Sequence, residues 1–286
     1  MITDNCCLCP RRCPSRANGL CGERDFTHAR VAKTMLHRWE EPCVSGARGT
    51  GAVFFAGCNL RCVFCQNHRI SQPRPVGAAC QPPAYEQADA PRLAEQFWRL
   101  HAEGAESISL ISPTHVLPVA REAMRLAKGQ GFPLRFVWNS NAYENPEALR
   151  TLEGLVGLYL PDLKYFDDAM ALAYSAAPAY FAHACAAIKE MSRQGEVLIR
   201  HMVLPGGRKD SMRVLDWIAE NVPGAKISLL AQYTPMYRAA EHPPLHRRLT
   251  AFEYESAAEY ALSLGLQGYF QQREAATDAY TPNFHA

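Results

Sequence analysis

The chain contains no run of roughly 18 consecutive apolar residues, the length a membrane-spanning helix needs, so nothing in it predicts a membrane protein. Net charge is also scarce. Lys plus Arg number 30 against 28 for Asp plus Glu, a balance of +2. That gives no reason to expect a nucleic-acid partner, although a local basic patch stays open. There is no internal repeat and no low-complexity tract. Met1 to Cys13 lack the apolar centre of a secretory signal, which predicts a cytoplasmic location. What is left is a 286-residue chain with 48% hydrophobic content, enough for one large α/β core.

Against these absences, cysteine stands out: there are 11, most of them in the first 65 residues. A reducing compartment disfavours disulfides, so clustered cysteines point to metal binding or catalysis. Residues 1–50, rich in Cys, Arg, Pro and Gly, read as an irregular, metal-stapled extension. Residues 51–286 read as the core domain. There Ala52–Ala56 is a short apolar run between glycines, the signal of a buried strand. A polar, Pro-rich loop occupies 66–85.

A strand-then-helix rhythm follows. Strands are predicted at 107–111, 134–138, 155–160, 197–204 and 226–231, and helices at 117–128, 146–153, around 180–193, at 211–221 and at 252–264. With Ala52–Ala56 this makes about six β/α units. Such alternation implies a parallel sheet, either doubly wound or closed part-way into a barrel, with ligands at the carboxyl ends of the strands.

The most informative stretch is Gly57-Cys58-Asn-Leu-Arg-Cys62-Val-Phe-Cys65-Gln-Asn67, which reads Cys-x3-Cys-x2-Cys directly after the first predicted strand. Thiolates hold iron–sulfur cubanes, which take four when fully ligated. Three on one loop leave the fourth iron open to the amino and carboxylate groups of S-adenosylmethionine (SAM). Electron transfer into the sulfonium then cleaves a carbon–sulfur bond, with the cofactor carrying the radical chemistry. One alternative is a helix face bearing three small hydrophobes, since the spacing is i, i+4, i+7. A zinc site is another, although zinc usually takes four ligands in paired spacing.

This loop resembles the signature of the radical SAM superfamily. Phe54-Phe-Ala-Gly-Cys-Asn-Leu-Arg-Cys-Val-Phe-Cys-Gln-Asn67 resembles the pyruvate formate-lyase activating enzyme-like branch, in particular its PflX-type subgroup. The likeness extends over nearly the whole chain. It implies an α/β fold, a partial (β/α)6 TIM-like barrel, with a [4Fe-4S] cluster on Cys58, Cys62 and Cys65. It also implies a 5′-deoxyadenosyl radical that abstracts a hydrogen atom. The hydrogen donor would be a glycine of a partner glycyl radical enzyme, another peptide or a small molecule. The electron donor would be a reductant such as flavodoxin or ferredoxin.

The resemblance assigns the remaining site residues. Phe64 would lie near the SAM adenine, where an aromatic face is suited. Where the superfamily usually has a Gly-Gly-Glu-like stretch, this chain reads Ile111-Ser-Pro-Thr-His115, so Ser112 and Thr114 would stand in with hydroxyls, while His115 also suits a helix start. Trp138-Asn-Ser-Asn141 resembles a Thr-Asn-Gly-type element, with Asn139 and Asn141 as amide partners or as turn and cap residues. Asp162 and Lys164 resemble an Asp-x-Lys element, and alternation puts both on one face; a structural ion pair is the other reading. In 198–206, Arg200 or His201 would reach the SAM carboxylate, but only one can point inward, and Arg is the better carboxylate partner. Gln232, Tyr233 and Tyr237 would line the substrate end.

A second cysteine set reads Cys6-x2-Cys9-x3-Cys13-x7-Cys21, with Cys7 able to replace Cys6. Four thiolates suit zinc or a second iron–sulfur cluster, and neighbouring Arg11 and Arg12 favour thiolates. We lean to the cluster; unligated thiols are the third possibility. Cys43, Cys80 and Cys185 read as ordinary residues, with Cys43 or Cys80 also open to a role as a stray ligand or relay thiol. The rival function is a non-catalytic iron–sulfur electron carrier or a metal-binding protein. A six-unit barrel and the Asp162/Lys164 pair favour the enzyme, because a carrier needs neither.

Overall fold

A computed structural model describes residues 6–14, 19–23, 25–72, 85–271 and 284. Four parallel strands form its centre: β2 (Thr50–Phe55), β4 (Ile108–Ile111), β5 (Phe136–Ser140) and β6 (Val156–Pro161), hydrogen-bonded in that order. β2 is buried at every position, as a strand covered on both faces must be. A second parallel set, β7 (Leu198–Met202), β8 (Lys226–Leu230) and β9 (Gly268–Phe270), continues the wall. Single bridges join the two sets at Tyr159–Val197 and Asp162–Arg200. The six expected parallel strands are all present, and β9 is a seventh.

The opposite edge departs from expectation. β1 (Ala29–His37) lies antiparallel to β2, and β3 (Glu86–Ala88) pairs with β1. The segment 29–37, read from sequence as irregular, is therefore a strand of the main sheet. Its half-buried pattern breaks up the apolar alternation with Arg30, Lys33 and Thr34, which hid it.

Helices cover the outer face. The cover includes α3 (Ala90–Ala102), α4 (Leu117–Gly129), α5 (Pro146–Arg150), α6 (Asp168–Ser175), α7 (Tyr180–Gln194), α8 (Arg208–Asn221) and α9 (Ala251–Ser263). Sequence reading passed over α3, which opens on an Asp89 side chain accepting from Arg92 N, and over α6. α9 carries a full capping box between Thr250 and Glu253. Phe136 and Trp138 point outward to join Phe97, Leu100 and Met124 under the helices. Between them, Val137 points inward with Leu158, Leu160 and Leu198. The inner set packs on Val44 of α1 (Pro42–Ser45), whose carbonyl accepts from Ser107 Oγ at 2.7 Å. α1 thus closes the barrel near the amino ends of its strands. A further short helix, α2 (His68–Ser71), follows the cysteine loop. Among the described residues no single helix is long and apolar enough to cross a membrane.

Candidate active site

The chain leaves β2 through Gly57, whose φ of +94° and backbone N–H to Ile70 O (2.8 Å) turn it sharply. Residues 58–65 are not helical, which sets aside the helix-face reading of the three cysteines. The loop is tied down instead. Arg61 N donates to Ser175 O (2.9 Å) and Val63 N to Tyr174 O (2.8 Å), while the Arg61 guanidinium donates to the carbonyls of Cys58 and Leu60. Each sulfur meets a polar neighbour: Leu60 N and Asn141 Nδ2 at Cys58, Ser175 Oγ at Cys62 (3.0 Å), Ser71 Oγ at Cys65 (3.3 Å).

All three cysteines line one cavity of about 560 Å³, a size that suits a cofactor with part of a substrate. Burial, joined by the neighbouring Cys62, pushes the Cys58 thiol up to about 11 and Cys65 to about 12. Cys62 is also raised by burial, against the pull of Lys164. Three such thiols facing one void form a donor set that fits a cluster: they trade protons for iron rather than ionise alone.

The strand ends supply the rest of the lining. Phe64, Ser112, Asn139, Asn141, Asp162, Lys164 and Arg200 all face this cavity. Lys164 Nζ lies 2.6 Å from Asp162 Oδ2. Burial works against the ammonium, but Asp162 and the nearby Cys62 outweigh it and hold Lys164 well above its ordinary range. Asn141 also makes the turn foreseen for it, accepting from Tyr143 N (3.0 Å) and donating to Asn59 Oδ1 (2.8 Å).

Two expected residues lie elsewhere. Ser112 takes φ +44°, and the backbone then enters a short 3-10 turn, Thr114–Val116, that carries Thr114 away to a second, smaller cavity. His201 points to the opposite face of β7 from Arg200, as alternation requires, and is held beneath α8 by Leu163 O (2.7 Å) and Ser211 Oγ (2.9 Å). Of the substrate-end candidates, Gln232 lines the cavity. Tyr233 is buried and donates to Leu245 O (2.6 Å), and Tyr237 is exposed and stacked on His68.

Sequence reasoning missed the floor of the cavity. Arg200 Nε donates to Glu41 Oε1 (2.8 Å), and the guanidinium also meets Glu40, with all three side chains largely buried. Burial alone would raise Glu41, but the Arg200 charge prevails and lowers it. His37, Trp39, Tyr269 and Phe270 complete this end. The available signal was two adjacent acids before a proline, next to a short apolar run, a pair that demands a cation if buried.

The second cavity, about 20 Å³, is lined by Cys6, Cys9, Cys13 and Cys21 together with Arg11, Asn59, Thr114 and His115. Burial pushes Cys9 up to about 12, partly offset by the Arg11 backbone N–H. Cys7 is exposed, and its carbonyl accepts from Asn145 Nδ2 (2.7 Å). Among the described residues no three His, Cys, Asp or Glu side chains meet closely enough to hold a single ion. Cys185 is buried in α7 and Cys43 sits beside Tyr269. Cys80 lies outside the described residues.

Comparison with known proteins places this geometry. The model of the Radical SAM superfamily matches residues 52–218, more than half of the chain. The uncharacterized protein MJ0674 of Methanocaldococcus jannaschii is 30% identical over 267 residues, covering 91% of this chain and 75% of that one. Among solved structures, Streptococcus suis SuiB bound to precursor peptide SuiA superposes with a TM-score of 0.51 at 12% identity, over 76% of this chain and 47% of SuiB. A domain of pyruvate-formate lyase-activating enzyme from Bacteroides vulgatus gives 0.42 at 15% identity, over 56% of this chain and 91% of that domain. At 12% identity the SuiB likeness speaks to fold alone.

Proposed function

This chain belongs to the radical SAM superfamily, and we propose that Cys58, Cys62 and Cys65 hold its [4Fe-4S] cluster while SAM occupies the 560 Å³ cavity beside them. The observation that carries this reading is the convergence of three non-helical cysteines, Cys62 buried and Cys58 and Cys65 half-buried, on the one cavity lined by the ends of the parallel strands. When bound and reduced, the cluster supplies the electron that cleaves SAM to methionine and a 5′-deoxyadenosyl radical able to take a hydrogen atom from a substrate.

The chain's own residues bind and orient. Three thiolates from one loop leave one metal position for SAM. Asp162 and Lys164, fixed at 2.6 Å, present opposite charges to the zwitterionic amino-acid part of SAM. Asn139 and Ser112 offer polar groups at adjacent strand ends. Phe64, held edge-on by Tyr233 at 5.9 Å, offers a flat apolar surface for a base. Arg200 acts as a positioning residue: Glu40 and Glu41 engage its guanidinium, so it braces the cavity floor. Phe54, Leu60, Ile111 and Leu230 keep the cavity wall apolar, which limits water.

For the reaction we carry forward the resemblance of 54–67 to the pyruvate formate-lyase activating branch and its PflX-type subgroup. The hydrogen donor is then a glycine Cα of a partner enzyme, the electron source a flavodoxin or ferredoxin, and the compartment the cytoplasm. The test is product analysis after anaerobic purification, reconstitution with iron and sulfide, and reduction. Wild type should convert SAM to 5′-deoxyadenosine, and Cys62→Ala should not. A fully loaded, reduced wild type that leaves SAM intact, with and without candidate partners, would sink the reading in favour of an electron carrier.

A further inference from the structure

We propose that the floor of the cavity is a subsite for an organic cation, an alkylammonium or guanidinium group carried by the substrate, and that Glu40 receives it. The inference rests on the reading above, which seats SAM at the cysteine end. Cys58 follows the carboxyl end of β2, whereas His37 pairs with Thr50 at its amino end, and Trp39, Glu40 and Glu41 come directly after His37. Six residues of strand put those two ends roughly 16 Å apart. One cavity nonetheless reaches both, so a cofactor held at the cysteine loop leaves the floor to a second molecule.

The charges at the floor do not cancel. The cavity lining holds three carboxylates, Glu40, Glu41 and Asp162, against two cations, Lys164 and Arg200. Asp162 is paired with Lys164. Glu41 takes Arg200 in a two-pronged pair, Oε1 accepting from Nε and Oε2 from Nη2, and Ser228 adds a hydroxyl. Glu40 shares that same Nη2 through Oε2 alone. Among the described residues no hydrogen bond engages Glu40 Oε1, although the side chain is only 9% exposed and lines the cavity. His37 adds no further cation, since burial holds it below its ordinary value. One carboxylate is therefore left over, and a charge so far out of water calls for a partner. An anionic guest would meet the opposite arrangement, because Arg200 already gives Nε and Nη2 to acids.

The walls select among cations. Trp39, Tyr269 and Phe270 line this same end, and aromatic rings attract ammonium and guanidinium groups. A hard metal ion would instead want a shell of several oxygens. A carboxylate oxygen beside aromatic side chains is the setting of an organic cation, and it fixes one end of the substrate while the rest extends towards the cysteine loop.

Two sources carry such a group, a free amine and the lysine or arginine side chain of a peptide. The full chain, reconstituted, saturated with SAM and left unreduced so that SAM is not consumed, is titrated by calorimetry with two series of probes. The first is 1-pentylamine, 1-pentanol and pentanoate. The second is three five-residue peptides, capped at both ends, that differ only in a central lysine, norleucine or glutamate. In at least one series the amine should bind about tenfold or more tighter than its neutral and anionic counterparts, and the series that shows it names the source. Glu40→Gln, which leaves the Glu41 pair with Arg200 in place, should bring the amine down to the level of the neutral probe. Amines that bind no better than their isosteres in either series, or a preference that survives Glu40→Gln, would overturn the subsite. The comparison among probes uses wild type, so it does not depend on how the variant folds. A chain that never cleaves SAM would fail the reading above with the cation preference still measured, and a chain that cleaves SAM without that preference would lose this subsite alone.

Discussion

Replacing Arg200 by methionine isolates the floor of the cavity. Glu40, Glu41 and Arg200 have side chains exposed by only 9%, 7% and 13%. Removing the cation leaves two carboxylates buried without their partner, and breaking a buried pair in this way costs about 3–5 kcal/mol. At about 2 °C per kcal/mol for a chain of this length, the melting temperature should fall by roughly 6–10 °C at pH 7. The sign of the pH dependence follows from Glu41, which Arg200 holds below its ordinary 4.5 in the native protein. That stabilisation is present above 4.5 and is lost as the pH falls through the lowered value. In Arg200→Met, Glu41 is left buried without its cation, so it shifts the other way and protonates more readily. The gap between wild type and variant should therefore be widest near neutrality and shrink towards pH 4. Urea titrations at several pH values measure it, and adding Glu40→Gln and Glu41→Gln to the variant should recover most of the loss. A deficit under about 1 kcal/mol at pH 7, the scale of an exposed pair, would refute the reasoning. So would a deficit that does not change with pH.

Two further outcomes follow. Glu144 accepts from Trp138 Nε1 (3.1 Å) and from Ser140 in full burial, and burial raises it above 4.5 despite those donors. A raised folded-state value gives stability that is present below 4.5 and lost as pH rises through that value. Glu144→Gln should thus compare better with wild type at pH 7 than at pH 4 in parallel denaturant curves, and a difference independent of pH counts against it. Gly57→Ala places a Cβ 2.2 Å from Cys21 O at a φ of +94°. It should cost more than the roughly 1 kcal/mol of an ordinary Gly→Ala mismatch and lower iron retention, measured as iron per chain; wild-type iron content and stability would show that the two loops do not press together there.

The parallel strands and the cysteine loop were legible because their signals are local. β2 is buried throughout and apolar from Ala52 onward, and the spacing of Cys58, Cys62 and Cys65 needs no partner from elsewhere. The expectations for Asp162, Lys164 and Arg200 rested on resemblance and alternation, and the structure puts all three on the cavity. Thr114 and His201 show the limit of that logic. A single left-handed residue, Ser112, redirects the chain after β4, and Arg200 and His201 differ by the one position that separates the two faces of a strand. The acids at 40–41 were illegible for another reason. Their meaning depends on Arg200, which lies 160 residues from Glu40, and no local pattern reports a partner so distant.

The two acids of the cavity floor do not belong to the barrel strands. They hang from the turn between β1 and β2, where α1 lifts Val44 into the inner apolar set and the acids meet Arg200 of β7. Depth and charge at the far end of the chamber are therefore set by about a dozen residues whose length and composition can change while every strand register stays as it is. A protein built this way can be retailored for a different guest by grafting one loop, with the cysteine end left untouched.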